Sequence, residues 1–218
     1  MQSEFWLERW RNQQIGFHQE RINPHLEAHW PALDAKAGTR VFVPLCGKSR
    51  DMLWLAAQGY RVTGIELSPL AVEAFFAESD LAPTRRHQGI FEVCSAGEIE
   101  IFCGDFFALS AEDLAGVTAV YDRASLVALP PDMRQRYAAH MAHLLPPDVQ
   151  ILLVTFDYSQ DEMSGPPFAV SEDEVHGLYD DTFAIRKLAD LDALAENARF
   201  RQAGLTRLRE RVFVLHRR

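Results

Sequence analysis

Three places in the chain set a charged side chain at the end of an apolar run, where an open α/β sheet presents its ligand. Glu66 closes the run RVTGIE, 19 residues after Gly47. An acid so placed accepts hydrogen bonds from ribose hydroxyls, or serves only as a solvated strand end. Asp105 follows the run over residues 98–103, either as a second ligand-facing acid or as the partner of Gly104 in a turn. Arg123 follows the run VTAVYD at residues 117–122. Its guanidinium suits a ligand carboxylate or an anionic substrate, and it can also pair with the neighbouring Asp122.

The loop after the first run reads Pro44-Leu45-Cys46-Gly47-Lys48-Ser49. Its tail resembles a phosphate-binding loop. That motif requires a glycine five residues before Gly47, and position 42 is Phe. Pro44 has no N–H to offer a phosphate, and Leu45 and Cys46 crowd the approach. The glycine-rich dinucleotide fingerprint is missing for the same reason, which counts against nucleoside triphosphates and NAD alike. An acid, an acid and a cation beside a loop unable to grip pyrophosphate fit a ribose-bearing ligand with a carboxylate and no phosphate. S-adenosylmethionine is such a ligand.

These side chains need a scaffold of alternating strands and helices. Residues 40–45 (RVFVPL) read as a buried strand. A helix over 49–58 follows, ended by Gly59 as a C-terminal cap. After the RVTGIE strand, Ser68 and Pro69 supply an N-cap and first-turn proline for a helix through Phe76. Residues 90–94 and 98–103 read as a hairpin around Ser95-Ala96-Gly97. Strands at 117–122 and 149–156 flank a helix over 130–144. Ser171 to Glu174 forms a capping-box pattern opening a short helix. Residues 183–188 and 211–216 are two final strands, with an antiparallel edge strand expected there. Upstream, Trp6 and Trp10 at i, i+4 share one helical face. The pattern predicts one doubly wound α/β domain over residues 1–218.

Composition narrows the partners. The 218 residues carry a net charge of −9. That disfavours nucleic acid and anionic membrane surfaces, which need a basic face. No apolar run reaches a membrane span, and the N-terminus has no signal-peptide pattern. The three cysteines, Cys46, Cys94 and Cys103, form no C-x-x-C, so neither a disulfide framework nor a zinc site is expected. A reducing cytoplasm follows. His25 and His29 stand at i, i+4 without a third ligand and read as surface histidines. No metal is expected.

The chain resembles the thiopurine S-methyltransferase family, in its bacterial branch. The resemblance rests on Phe5-Trp6-Leu7-Glu8-Arg9-Trp10, on Gly16-Phe17-His18, and on VFVPLCGKSRDMLWLAAQGYRVTGIELS at 41–68. It rests also on FEVCSAGEIEIFCGDFF at 91–107 and VYDRASLVALPPDMRQRYA at 120–138. It implies a class I methyltransferase fold, Rossmann-like, with a mostly parallel seven-stranded sheet and helices on both faces. Residues 1–30 would form a segment covering the cofactor. By the same resemblance, Trp10, Leu45, Glu66 and Arg123 contact S-adenosylmethionine, with Gly47 in the cofactor loop. Gly104 and Asp105 lie along the adenine side. Phe17 sits near the substrate, Arg123 also faces it, and Arg199 is the nearest match to a second substrate-facing arginine of mammalian members. The implied reaction is methyl transfer to the sulfur of a thiopurine or other aromatic thiol. It needs no dedicated general base, because a heteroaromatic thiol ionises readily. The bacterial branch is also associated with selenium and tellurium oxyanions. A small-molecule thiol or metalloid acceptor and a monomeric enzyme are thus expected.

Two other readings compete. One is a methyltransferase acting on O or N of a small acid, and the other is a noncatalytic S-adenosylmethionine-binding protein. A nucleic-acid methyltransferase is weaker. Pro130-Pro131 lacks the flanking residues of the amino-methyltransferase motif and suits a helix start.

Overall fold

The computed structural model describes residues 3–218. Its apolar runs pair into one nine-stranded sheet. The strands are β1 (Arg40–Val43), β2 (Arg61–Glu66), β3 (Thr84–Gln88), β4 (Phe91–Ala96) and β5 (Ile99–Cys103). They continue with β6 (Val117–Arg123), β7 (Gln150–Asp157), β8 (Phe183–Asp192) and β9 (Arg209–Arg217). The order across the sheet is β3-β4-β5-β2-β1-β6-β7-β9-β8. The chain runs outward from β1 to β2, then returns to place β6 on the other side of β1. This reversal is the switch point at which such sheets bind ligands.

The sheet corrects one expectation and meets two. It has nine strands rather than seven, because β3 and β4 extend one edge. Its five central strands, β5, β2, β1, β6 and β7, are parallel as expected, and the pairings β3–β4, β4–β5, β7–β9 and β8–β9 on either side are antiparallel. The antiparallel edge strand expected among the last two is β8, which among the described residues pairs only with β9. β9 lies inside, between β7 and β8. Strand β3 escapes sequence reading because Thr84, Arg85, Arg86 and His87 are all exposed. An edge strand held by one neighbour need not bury a face, and charge on it discourages further pairing.

Strand alternation sends successive side chains to opposite faces. In β1, Phe42 enters one core while Val41 and Val43 enter the other. The first core packs under α5 (Pro131–Leu144) and α6 (Glu172–Tyr179), through Tyr137, Met141, Val175 and Tyr179. The second packs under α2 (Pro24–His29), α3 (Asp51–Ala57) and α4 (Pro69–Glu78), through Leu26, Met52, Leu55 and Phe75. Gly59 ends α3 at φ 85°, as a left-handed cap requires. Ser171 caps α6 by accepting from the Glu174 N–H at 3.1 Å. Ser68 occupies the N-cap of α4 without a side-chain cap bond. The helix α1 (Ser3–Arg11) and the short α7 (Ala198–Gln202) lie beyond the strand ends and complete the site. Among the described residues no helix is long and apolar enough to cross a membrane.

Candidate active site

The β1–α3 loop bends sharply to reach the sheet edge. The Cys46 N–H donates to the Ile65 carbonyl at 3.0 Å, and Ser125 Oγ donates to the Pro44 carbonyl at 2.7 Å. Leu45 is held at φ 44° and Gly47 at φ 54°. Only glycine takes that region freely, so Leu45 stores about 1–3 kcal/mol of strain that its anchored neighbours must offset. The loop tucks inward because Gly64 has no side chain: a Cβ there would stand 2.7 Å from Cys46 Sγ.

Glu66 is the loop's counterpart on β2. Its Oε2 accepts from the Gly47 N–H at 2.9 Å and its Oε1 from the Ser68 N–H at 2.8 Å. The side chain is buried, and burial raises its pKa to about 7 despite both bonds. Each oxygen keeps acceptor capacity, and the residue lines the cavity. Burial and Glu66 together push the Cys46 thiol well up, which leaves it an inert wall. Lys48 does not serve a phosphate: its Nζ reaches both carboxylate oxygens of Glu78, at 2.6 and 2.8 Å.

Asp105 follows β5, which pairs in register with β2 through Glu66 and Cys103. It lines the cavity, and Oδ1 accepts from the Phe107 N–H at 2.9 Å. Gly104 does not reach the lining. Its N–H donates to the Glu66 carbonyl at 2.9 Å, and a Cβ there would meet the Phe91 ring at 2.7 Å. The glycine thus lets the chain pass Phe91 and deliver Asp105.

Arg123 and Asp122 point to opposite faces of β6. Asp122 is buried, takes the Tyr137 hydroxyl at 2.7 Å, and has its pKa raised by burial to about 6. The pairing of Arg123 with Asp122 is therefore absent. Arg123 lines the cavity, and among the described residues its Nη1 reaches only the Phe17 carbonyl, at 3.5 Å.

The N-terminal segment closes the cavity from above. Trp10 lies 3.3 Å from where a Gly47 Cβ would stand, and it meets Phe17 edge to face at 5.7 Å between ring centres. Trp6 meets Phe17 similarly at 5.8 Å. Arg199, from α7, lies flat on Gly16, with Nη1 2.5 Å from where a Gly16 Cβ would be. All the cofactor and substrate residues expected from the sequence except Gly104 thus line one cavity of about 360 Å³.

The cavity also takes side chains that sequence reading did not single out. Phe107 closes the Asp105 end, while Phe156, Phe200, Pro166 and Pro167 build an aromatic and proline-rich recess at the other. Phe156 and Phe200 are 5.4 Å apart between ring centres. His18 also lines the cavity, and burial holds its pKa below the ordinary value. The His18 signal was its place beside Phe17. The recess left none, because its parts come from distant loops. Among the described residues no group of three or more His, Cys, Asp or Glu side chains could hold a metal ion.

Comparison with solved structures supports the fold. The chain is similar to a 1,6-didemethyltoxoflavin N1-methyltransferase of Burkholderia thailandensis, with a TM-score of 0.64, 16% identity, and coverage of 99% of this chain and 86% of the other. It is similar also to an S-adenosylmethionine-dependent methyltransferase of Anabaena variabilis, with a TM-score of 0.68, 12% identity, and coverage of 99% and 95%. Sequence relatives are much nearer. A thiopurine S-methyltransferase of Nitrosospira multiformis is 57% identical over 215 residues, covering 99% of this chain and 98% of its own. One of Azotobacter vinelandii is 52% identical over 218 residues, covering both chains fully. The model of the family described as thiopurine S-methyltransferase matches residues 1–218. With a class I methyltransferase sheet beneath the site and a family match from end to end, the chain belongs to the thiopurine S-methyltransferase family.

Proposed function

We propose that this chain transfers a methyl group from S-adenosylmethionine to the sulfur of thiopurines and other aromatic or heterocyclic thiols. The observation that carries the reading is the order of groups along the sheet edge. Asp105 and Glu66 stand beyond β5 and β2, the Leu45–Gly47 loop beyond β1, Arg123 at β6, and the aromatic recess beyond β7 and β9. Two acids at one end suit ribose hydroxyls, and two arginines with no acidic partner among the described residues, beside an apolar recess, suit an anionic aromatic acceptor. The family's full-length match supports the same chemistry.

The residues fit the cofactor on their own evidence. Lys48 is tied to Glu78 and Pro44 lacks an N–H, so the loop offers no phosphate cradle. Glu66 keeps acceptor capacity toward hydroxyl donors. Bound there, S-adenosylmethionine supplies a methyl group on a cationic sulfonium. Glu66 and Asp105 hold the nucleoside, Leu45 packs against it, and Trp10 presents an aromatic face that attracts a cation. Of the segment expected over residues 1–30, the described part from Ser3 onward would cover the cofactor and exclude water, and Met1 and Gln2 lie outside the described residues; a dry site favours a reaction that consumes opposite charges. Arg123 and Arg199 hold the acceptor as its thiolate and align it. The same cations would attract selenium or tellurium oxyanions. We propose further that the enzyme is a single-domain monomer of the reducing cytoplasm, consistent with Cys46, Cys94 and Cys103 all being free.

The test is an acceptor screen with labelled S-adenosylmethionine against thiopurines, simple aryl thiols, selenite, tellurite, carboxylic acids and amines. S-methylated thiols are the expected products. Transfer only to oxygen or nitrogen would replace this reading with that activity, and binding without turnover would make the chain a cofactor-binding protein.

A further inference from the structure

His25 is not the surface residue that its spacing with His29 implied. It is buried, and its Nε2 lies 2.7 Å from Glu210 Oε2. The two residues are 185 positions apart, and Glu210 lines the cavity. The pair is rigidly mounted. Asn23 caps α2 by accepting from the His25 N–H at 2.9 Å, and its own N–H donates to Asp51 at 2.8 Å. Asp51 in turn accepts from the Tyr121 hydroxyl at 3.1 Å, which ties the start of α2 to β6.

The sheet fixes which part of the cavity Glu210 serves. It pairs in register with Phe156 across β7 and β9. From Glu66 on β2 to Glu210 on β9 is four strand spacings, about 19 Å at ~4.8 Å each. Glu210 therefore belongs to the recess of Phe156, Phe200 and Arg199, beyond reach of the ribose site. Arg123, on β6, stands midway. The His25 ring occupies Oε2 of Glu210, and the carboxylate keeps acceptor capacity at its other oxygen, which a donor from the ligand can fill. The carboxylate repels an acceptor that carries only negative charge, and it rewards one that brings an N–H.

We infer that Glu210, oriented by His25, selects the acceptor by taking a hydrogen bond from a ring N–H of a mercapto-heterocycle, while Arg123 and Arg199 hold the thiolate. The inference rests on the thiol-methylating function proposed above. Glu210 is thus a specificity residue, and His25 positions it. Plain aryl thiolates and oxyanions gain nothing from the carboxylate and are disfavoured by it.

The experiment compares kcat/KM for a mercaptopurine, which carries ring N–H groups, with that for thiophenol, which has none. Glu210→Leu should lower the mercaptopurine value at least tenfold and leave thiophenol within threefold or raise it. S-adenosylhomocysteine affinity should stay unchanged, which shows an intact fold. Equal losses for both acceptors, or no loss for either, would overturn the inference. Should Glu210→Leu fail to fold, Glu210→Gln replaces it and must shift the ratio in the same direction. His25→Gln keeps a donor to Glu210 and should preserve selectivity, whereas His25→Phe should erode it. A wild-type enzyme that methylates neither thiol would sink the function itself. One that methylates both, with a ratio indifferent to Glu210, sinks only the selecting role.

Discussion

At the scale of single residues, Glu66 and Arg123 do opposite electrostatic work. Burial lifts Glu66 to a pKa of about 7, so the free enzyme carries it part-protonated near neutrality. Ribose hydroxyls donate to the ionised form and favour it. Below pH 7 a proton must leave before that bond forms, and above it the cost disappears. Affinity for S-adenosylhomocysteine is therefore expected to rise from pH 6 to pH 8, with proton release on binding near the lower limit. Asp122, raised to about 6, is bonded to Tyr137 on the other face and does not line the cavity. Glu66→Gln should flatten the profile and weaken binding by about 1–3 kcal/mol, because an amide NH2 opposes one of the two backbone donors at Gly47 and Ser68. Calorimetry in buffers of different ionisation enthalpy measures both effects, and an unchanged profile in the variant would remove Glu66 as the ribose ligand. Arg123 has no acidic partner among the described residues, so its fork is available to a ligand. Lysine is a poor substitute for a planar fork. Arg123→Lys should reduce kcat/KM for a thiol at least about tenfold, or ~1.4 kcal/mol. Steady-state kinetics at saturating cofactor assigns the loss: a defect cured by cofactor places Arg123 on the cofactor, and a persistent one places it on the acceptor.

At the scale of elements, we propose that α1 and the segment after it, which line the cavity, act as a lid. Only Trp10 of this helix is buried. It is held from below by Gly47 and from the side by Phe17, both of which line the cavity. A nine-residue helix is marginal by itself, so its order depends on what lies beneath. Ligand in the cavity adds surface for Trp10 and Phe17 to pack on. Backbone amides over residues 3–20 should therefore exchange more slowly with S-adenosylhomocysteine present. Equal protection with and without ligand would make α1 a fixed wall and Trp10 simple packing. The helix that brings Trp6 and Trp10 to the cavity was legible in part from sequence, since the two share a helical face. Its landing point was not, because the left-handed Gly47 that leaves room for the indole becomes visible only once β1 and β2 are paired.

At the scale of the whole molecule, β7 joins the two cores. Leu153 is fully buried in the core under α5, and Leu152 is fully buried in the core under α3. Replacing either with alanine should cost about 2–5 kcal/mol. Both variants should lower the midpoint of one shared denaturant transition, followed by circular dichroism and tryptophan fluorescence together. Two separated transitions would divide the molecule into two folding units and reject the single domain. The sequence by itself determined the alternation of strands and helices and which charged side chains stand at three strand ends. Hydrophobic periodicity reports whether a segment buries a face, and Glu66, Asp105 and Arg123 are fixed by their distance along the chain from such segments. Tertiary structure alone decided the rest. The exposed run Thr84–Gln88 is a strand because β4 offers it an edge, a fact its own polar residues do not encode. The inner place of β9 depends on its pairing with both β7 and β8. The joining of His25 to Glu210 depends on α2 packing beneath that strand. Local pattern carries which side a residue faces, whereas neighbours across a sheet are set by strand order, which only the folded chain resolves.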